Sequence, residues 1–323
     1  MSSKNKIILV TGSSGFIGFH LSKSLLEKGY TIVGVDNEND YYDVNLKEDR
    51  RKILEKYSDF KFYKISLEDN LSLEKIFDTK NIDIVINLAA QAWVRYSLIH
   101  PEAYVQTNIV GFFNILELVR KHNIKKIIYA SSSSVYGKEE PTSVPHEDNT
   151  NEPISLYAAT KMSNELMAHV YSHAYGISTI GLRFFTVYGP FWRPDMAIAK
   201  FNKNISSGKP IDVYNFGNMQ RSFTYIDDIV EGIIKSINYE CVFEIFNLGN
   251  DNLVPLESMI EILENYLNKK AIKNYLPLQI GDAPGNKTNI DHSLKNLKRS
   301  PGVDIETGLR KYIEWYREYY FDK

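Results

Sequence analysis

The feature that most constrains the fold lies near the amino terminus. Lys6 to Thr11 (KIILVT) is an apolar, β-branched run of strand length. Gly12-Ser13-Ser14-Gly15-Phe16-Ile17-Gly18 follows at once, and then an amphipathic segment to about Lys28. Strand, glycine turn and helix in that order form the context a dinucleotide-binding turn requires. Gly12 permits the tight turn, Gly15 lets the backbone approach a pyrophosphate, Gly18 lets helix and strand pack closely, and the helix N-terminus attracts the anion. A second strand, Thr31 to Val35, ends in Asp36, 18 residues beyond Gly18. A carboxylate there accepts hydrogen bonds from the adenosine ribose hydroxyls and repels a 2′-phosphate, so the spacing favours NAD over NADP.

Strand signals recur near 31 to 36, 61 to 66, 83 to 89, 126 to 132 and 178 to 184, with helical patterns between them. That alternation predicts an α/β protein with a doubly wound parallel sheet of the Rossmann type. The fifth strand runs into Ser131-Ser132-Ser133-Ser134-Val135-Tyr136-Gly137. Hydroxyls at the carboxyl end of a strand lie where ligands bind in open parallel sheets. Downstream, Ser155-Leu156-Tyr157-Ala158-Ala159-Thr160-Lys161 opens a long helical segment. Residues four apart on a helix share a face, so Lys161 is expected to bring its ammonium toward the Tyr157 phenol. A free phenol ionises near pH ~10, and a neighbouring cation favours the phenolate. Tyr157 is therefore a candidate general base.

With glycine fingerprint, serine-tipped strand and YxxxK in this order, the chain resembles the extended short-chain dehydrogenase/reductase family over essentially its whole length. The resemblance implies that Ser132, three residues before the VYG, joins Tyr157 and Lys161 as the catalytic set, with Ser131, Ser133 and Ser134 as alternatives. It further implies NAD contacts from Phe16, Ile17, Asn37, Ser66 and Leu67, a cofactor wall at Leu88, Ala89 and Ala90, and a contact from Phe184. Residues 1–185 are then an NAD-binding domain, with 223–250 returning to it, and 186–323 mainly a substrate lobe. Long helices are expected over 101–122 and 154–175, and the resemblance implies a homodimer paired through them. Further helix signals lie at 255–268 and 305–320, and the terminal WYREYYF reads as lobe packing.

Beyond the sixth strand the resemblance narrows. The stretches RPDMA (193–197), GKPIDVYN (208–215) and FTYIDDIVEGI (223–233) are similar to the UDP-glucuronate 4-epimerases, as are NDYYDVNLKEDR (39–50) and VRYS (94–97). Trp93 and Trp192 stand where that subgroup usually has glycine, and Ser222 where it usually has aspartate. The resemblance implies a UDP-sugar substrate and a role in polysaccharide biosynthesis. It implies substrate contacts at Arg95 in the loop after the fourth strand, at Arg221 on the diphosphate, and at Asp282 near the uridine ribose.

Relatives that remove water carry an Asp-Glu pair directly after the catalytic hydroxyl, and nucleotide-sugar decarboxylases commonly carry a glutamate before the VYG. This chain has Ser133 and Ser134. What remains is oxidation and re-reduction at one carbon, which the resemblance to the UDP-glucuronate 4-epimerases implies is C4 of a UDP-hexuronic acid. A planar arginine fork suits the C6 carboxylate, and Arg193 is the candidate, with Thr186 as a hydroxyl donor; Ser132 and Ser133 are further expected substrate contacts. Three other readings stay open: an epimerase of UDP-N-acetylhexosaminuronate or UDP-glucose/galactose, a nucleotide-sugar decarboxylase, and an NAD-binding regulator without catalysis.

Composition excludes other classes. Lys plus Arg (38) against Asp plus Glu (40) leaves a net charge of −2, so no basic field for nucleic acid is present. No apolar run of about 18 residues suggests a membrane span, and residues 1–10 lack the apolar core of a secretion signal. The one cysteine, Cys241, forms neither an internal disulfide nor a cysteine cluster; it reads as a small core residue of a cytoplasmic protein. The insertion between Asn37 and Arg51 is expected to be a solvated loop and short helix, too charged for the core.

Overall fold

The alternating side chains of the first strand divide the core in two. The structure, a computed structural model, describes residues 6–137, 152–279, 285 and 287–321. In chain order the first strands are β1 (Ile7–Thr11), β2 (Thr31–Asp36), β3 (Phe60–Lys64), β4 (Ile84–Asn87), β5 (Lys126–Ser132) and β6 (Ser178–Phe184). They are followed by β7 (Thr186–Tyr188), β8 (Ile211–Tyr214), β9 (Gln220–Tyr225), β10 (Phe243–Leu248), β11 (Leu253–Pro255) and β12 (Lys273–Leu276). Seven of them form one parallel sheet in the order β10-β6-β5-β4-β1-β2-β3. Ile8 and Val10 of β1 point to one apolar cluster and Leu9 to the other. This is the period of two expected of a strand buried on both faces.

The helices that cover the two faces are α1 (Phe16–Glu27), α2 (Val44–Leu54), α3 (Asn70–Thr79), α4 (Pro101–Tyr104), α5 (Phe112–Lys121) and α6 (Leu156–Tyr175). After them come α7 (Ala197–Ser206), α8 (Ile226–Ile237), α9 (Leu256–Leu267), α10 (Asp291–Leu297) and α11 (Ile305–Tyr320). Phe19, Leu21 and Leu25 of α1 pack on the Ile8 face together with Ile229 and Ile233 of α8. Phe112, Leu116 and Val119 of α5 pack on the Leu9 face. Each fully buried aliphatic side chain in these layers contributes about 1.5–3 kcal/mol.

The turn into α1 needs its glycines. Gly12 has φ +72°, and a Cβ on Gly18 would lie 2.0 Å from the Gly12 carbonyl oxygen, so helix and turn close only without a side chain there. The helix that carries Tyr157 and Lys161 is equally legible. Ser155 caps α6 by accepting the Ala158 N–H at 3.1 Å, and Gly176, at φ +67°, ends it. Its buried stripe is Ala158, Lys161, Glu165, Ala168 and Ser172, a helical spacing that carries two ionisable groups inward.

Three expectations change. The helix expected over 101–122 is interrupted: Val105–Gly111 is a π-helix between α4 and α5. There the Asn108 side chain accepts the Gln91 N–H at 2.8 Å and donates to the Gln91 carbonyl at 3.0 Å, while Gly111 lies against Leu67. A seventh strand, β10, joins the sheet beside β6, beyond the six strands expected though within the 223–250 stretch expected to return to the first domain. The charged insertion, expected to be solvated, forms α2, and Leu46, Lys47 and Arg50 are buried. Arg50 is not left bare: it donates to the Ser14 carbonyl at 2.9 Å, the Tyr42 hydroxyl at 2.7 Å and the Phe191 carbonyl at 2.5 Å. These bonds from its two terminal nitrogens tie the insertion to the glycine turn and to the far half of the chain, while Nε is buried without a partner among the described residues.

In that far half β7, β9 and β11 form a three-stranded sheet, and β8 pairs with β12. Trp192, 4 % exposed, packs near Phe16, Tyr188 and Tyr312. Ser222 donates its hydroxyl to the Asn250 carbonyl, a local bond that an aspartate could not donate. In α11 the Trp315 ring stacks on Tyr319 and meets Tyr316 edge-on, and Trp315 and Tyr319 pack against Phe191. Cys241 is partly buried against the larger apolar cluster, at its edge rather than inside it.

Candidate active site

A cavity of about 490 Å³ opens at the carboxyl ends of β1, β2, β4 and β5. This is the crevice beside β1 where the strand order reverses, the usual ligand position in such sheets. At one end lie Gly12, Gly15, Phe16, Ile17 and Gly18, followed by Asp36, Asn37, Ser66 and Leu67. Leu88, Ala89, Ala90 and Phe184 line its middle, and Ser132, Ser133, Tyr157, Lys161, Thr186, Arg193 and Arg221 line the rest. Arg95 does not: its guanidinium lies over the rings of Trp93 and Tyr214, at 5.8 and 5.3 Å. Asp282 lies outside the described residues.

At the dinucleotide end the Asp36 carboxylate accepts the N–H groups of Glu38 at 2.8 Å and Ser14 at 3.1 Å. Burial pushes its pKa up, and those two donors and Lys47 oppose the shift. Asn37 donates its amide to the Ser66 hydroxyl at 3.2 Å, which joins the ends of β2 and β3.

At the other end the Ser132 hydroxyl, which accepts the Ser134 N–H at 3.2 Å, faces the same cavity as the Tyr157 phenol. Burial pushes that phenol above its ordinary value, while the Ser132 hydroxyl and the Arg193 charge hold it down. Lys161 acts differently from the expectation. Its ammonium donates to the Ala130 carbonyl at 2.7 Å rather than to the phenol. Burial lowers the Lys161 pKa to about 8, opposed by the Glu165 charge. All four serines line the cavity; Ser131 donates to Glu165 at 2.5 Å, while Ser132 bonds its neighbour Ser134 at 3.2 Å.

The sequence reading missed the support behind these groups. Glu165, one helical turn after Lys161, pairs with Arg183 at 2.8 and 2.9 Å, and Arg183 donates to the Tyr136 hydroxyl at 2.8 Å. Tyr136 in turn donates to Asn247 of β10 at 2.8 Å. The i,i+4 spacing from Lys161 was the available signal. Asp195 was also missed. It holds Arg193 in a bidentate pair at 3.0 and 2.6 Å, and the Arg193 guanidinium lies over the Tyr41 and Tyr42 rings at 5.2 and 5.6 Å. Burial works against the Arg193 charge, but Asp195 raises its pKa above the usual value, so it is a fixed cation.

Against known proteins, the model of the NAD dependent epimerase/dehydratase family matches residues 8–249. The protein CapI of Staphylococcus aureus is 49% identical over 97% of this chain and 99% of its own length. A probable UDP-glucuronate 4-epimerase of Rhizobium meliloti is 42% identical over 97% of each chain. The crystal structure of the Bacillus cereus UDP-glucuronic acid 4-epimerase in complex with UDP-glucuronic acid and NAD superposes with a TM-score of 0.91 at 33% identity, covering 97% of this chain and 100% of that one.

Proposed function

Because the chain belongs to the NAD dependent epimerase/dehydratase family, we propose that it interconverts UDP-glucuronate and UDP-galacturonate by NAD-dependent inversion of C4. The observation that carries this reading is one cavity shared by the glycine cradle and Asp36 at one end and by Ser132, Tyr157, Lys161 and Arg193 at the other. The relatives named as UDP-glucuronate 4-epimerases support the sugar.

The residues present fit the cofactor. A Cβ at Gly12 would come within 2.8 Å of the Ala89 nitrogen, so the cradle is closed to side chains and open to a pyrophosphate. Gly12 to Gly18 would hold the pyrophosphate, Asp36 the ribose, and Leu88 to Ala90 the flat ring systems. When bound, NAD supplies a hydride acceptor and then a donor at C4, which inverts that carbon through a 4-keto sugar without net redox change.

Tyr157 takes the proton of the 4-hydroxyl and later returns it. Ser132 donates a hydrogen bond to that oxygen as it becomes a carbonyl. Lys161 keeps a positive charge beside the reacting centre. Arg193 lowers the cost of the Tyr157 phenolate and meets the C6 carboxylate, which must compete with Asp195 for the fork. Arg221, with one donor on the Gln220 carbonyl at 2.9 Å, remains the candidate for the diphosphate.

A second reading, a neutral or N-acetylated hexose, draws on the same pair, since Arg193 already holds a carboxylate of this chain. Incubation with a panel of UDP-sugars, followed by NMR, separates the two. Interconversion of UDP-glucuronate and UDP-galacturonate is expected, without carbon dioxide or pentose. Turnover of neutral sugars alone would replace the substrate, release of a pentose would make the protein a decarboxylase, and bound NAD without turnover would make it a regulator. Arg193→Ala is expected to damage the uronate reaction more than any neutral one.

The same reading covers assembly and location. The two-domain division at about residue 185, with 223–250 returning to the first part, is retained. Exposed Phe113 of α5 and Leu166 and Val170 of α6 support a homodimer paired through those helices, which light scattering would test. Among the described residues no helix is long and apolar enough to cross a membrane. A cytoplasmic enzyme supplying sugar nucleotides for polysaccharide biosynthesis is in keeping with this.

A further inference from the structure

Trp93 holds a backbone conformation that bulky residues rarely adopt, with φ at +120°. Such conformations persist only where the surroundings over-determine them, and they gather at ligand sites. Here the surroundings can be named. Two residues earlier, Gln91 is held at both its N–H and its carbonyl by Asn108 of the π-helix. The Trp93 carbonyl accepts the Tyr104 hydroxyl at 2.5 Å, and the next carbonyl, of Val94, accepts the Ser97 hydroxyl at 2.5 Å. Glycine would take this conformation at little cost. What the strained backbone presents instead is an indole.

That indole lines the cavity and is held by two cations. The Arg95 guanidinium lies 5.8 Å from its ring centre and the Lys200 ammonium of α7 lies 5.3 Å away, both within cation–π range. It also sits at the catalytic end. Tyr104, which fixes the Trp93 carbonyl, meets the Tyr157 ring edge-on with centroids 6.1 Å apart. The glycine cradle and Asp36 are at the other end.

We propose that the Trp93 indole is the wall against which the hexose ring of the nucleotide sugar rests, making Trp93 a specificity-determining residue of this chain. An electron-rich aromatic face suits the C–H face of a pyranose, and Arg95 and Lys200, which are not among the residues lining the cavity, hold the ring from outside it. The inference rests on the nucleotide-sugar reading above.

The test compares Trp93→Ala, Trp93→Gly and Trp93→Phe with the unaltered protein. Kinetics with UDP-glucuronate are read beside calorimetric binding of UDP-glucuronate, of UDP alone and of NAD. The alanine and glycine variants are expected to weaken UDP-glucuronate binding roughly tenfold, the scale of one lost aromatic contact. Trp93→Phe should retain most of the affinity. UDP and NAD should bind as before in all three, and the glycine variant should melt a few degrees above the alanine one, because only glycine relieves the backbone. Unchanged UDP-glucuronate affinity in Trp93→Ala would overturn the inference. So would a parallel loss of UDP or NAD affinity, which would make Trp93 a nucleotide contact or a structural prop. Failure of the unaltered protein to convert any UDP-sugar would sink the functional reading instead, and the binding comparison would still decide the role of the indole.

Discussion

Replacing Glu165 by leucine is expected to cost about 3–5 kcal/mol of folding stability, the usual cost of leaving one member of a buried ion pair behind. The geometry supports the upper part of that range. Arg183 is 2 % exposed and loses its contacts at 2.8 and 2.9 Å, keeping the Tyr136 hydroxyl at 2.8 Å. Ser131 loses its acceptor as well, a further cost of about 1–3 kcal/mol for a buried hydroxyl left unsatisfied. Arg183→Met should cost a similar amount, since it strands the Glu165 carboxylate between Ser131 and the Lys161 side of the helix. The double variant Glu165→Leu/Arg183→Met removes both charges together, and apolar replacement of a buried pair is often close to neutral. It should therefore lie nearer to the unaltered protein than either single variant, with a coupling of about 3 kcal/mol or more. Urea unfolding followed by circular dichroism gives all four values at one pH. If the two single losses simply add in the double variant, the pair is not coupled and the reasoning fails.

Three further outcomes are expected. Tyr157→Phe should keep bound NAD and lower turnover by about 10²- to 10⁴-fold; a rate near that of the unaltered protein would remove Tyr157 from the chemistry. Asp36→Ala should weaken NAD and narrow its preference over NADP, since the ribose loses its acceptor and a 2′-phosphate its repulsion; titrations showing both affinities unchanged would contradict the assignment. Lys161→Met should end turnover yet stabilise the cofactor-free protein at pH 7. Burial lowers the Lys161 pKa from 10.5 to about 8, so between those values the unfolded chain binds the extra proton and stability rises with pH. Below pH 8 the full cost of about 3 kcal/mol is present, offset in part by the bond to Ala130. The advantage of the methionine variant, read from melting curves, should fade as pH approaches 10.5; an advantage that grows with pH would reverse the assignment.

The sequence by itself determined the parts that depend on short spacings. Gly12, Gly15 and Gly18 specify a strand-turn-helix because their conformational needs are local, and the helix from Leu156 to Tyr175 is legible from its Ser155 cap, its buried stripe and Gly176. The acid after β2, the hydroxyls at the end of β5 and the Tyr157 and Lys161 pair follow from strand ends and helix periodicity, and they line one cavity. Only the tertiary structure decided the rest. The insertion at 37–51 reads as solvated because its charges have no partners in sequence, yet Arg50 is buried by carbonyls 36 and 141 residues away. Arg193 reads as an open fork, and its pairing depends on where Asp195 and the Tyr41 and Tyr42 rings come to rest. The π-helix at Val105–Gly111 and the backbone of Trp93 are set by side-chain bonds from Asn108 and Tyr104, contacts of loop to helix that no periodicity encodes.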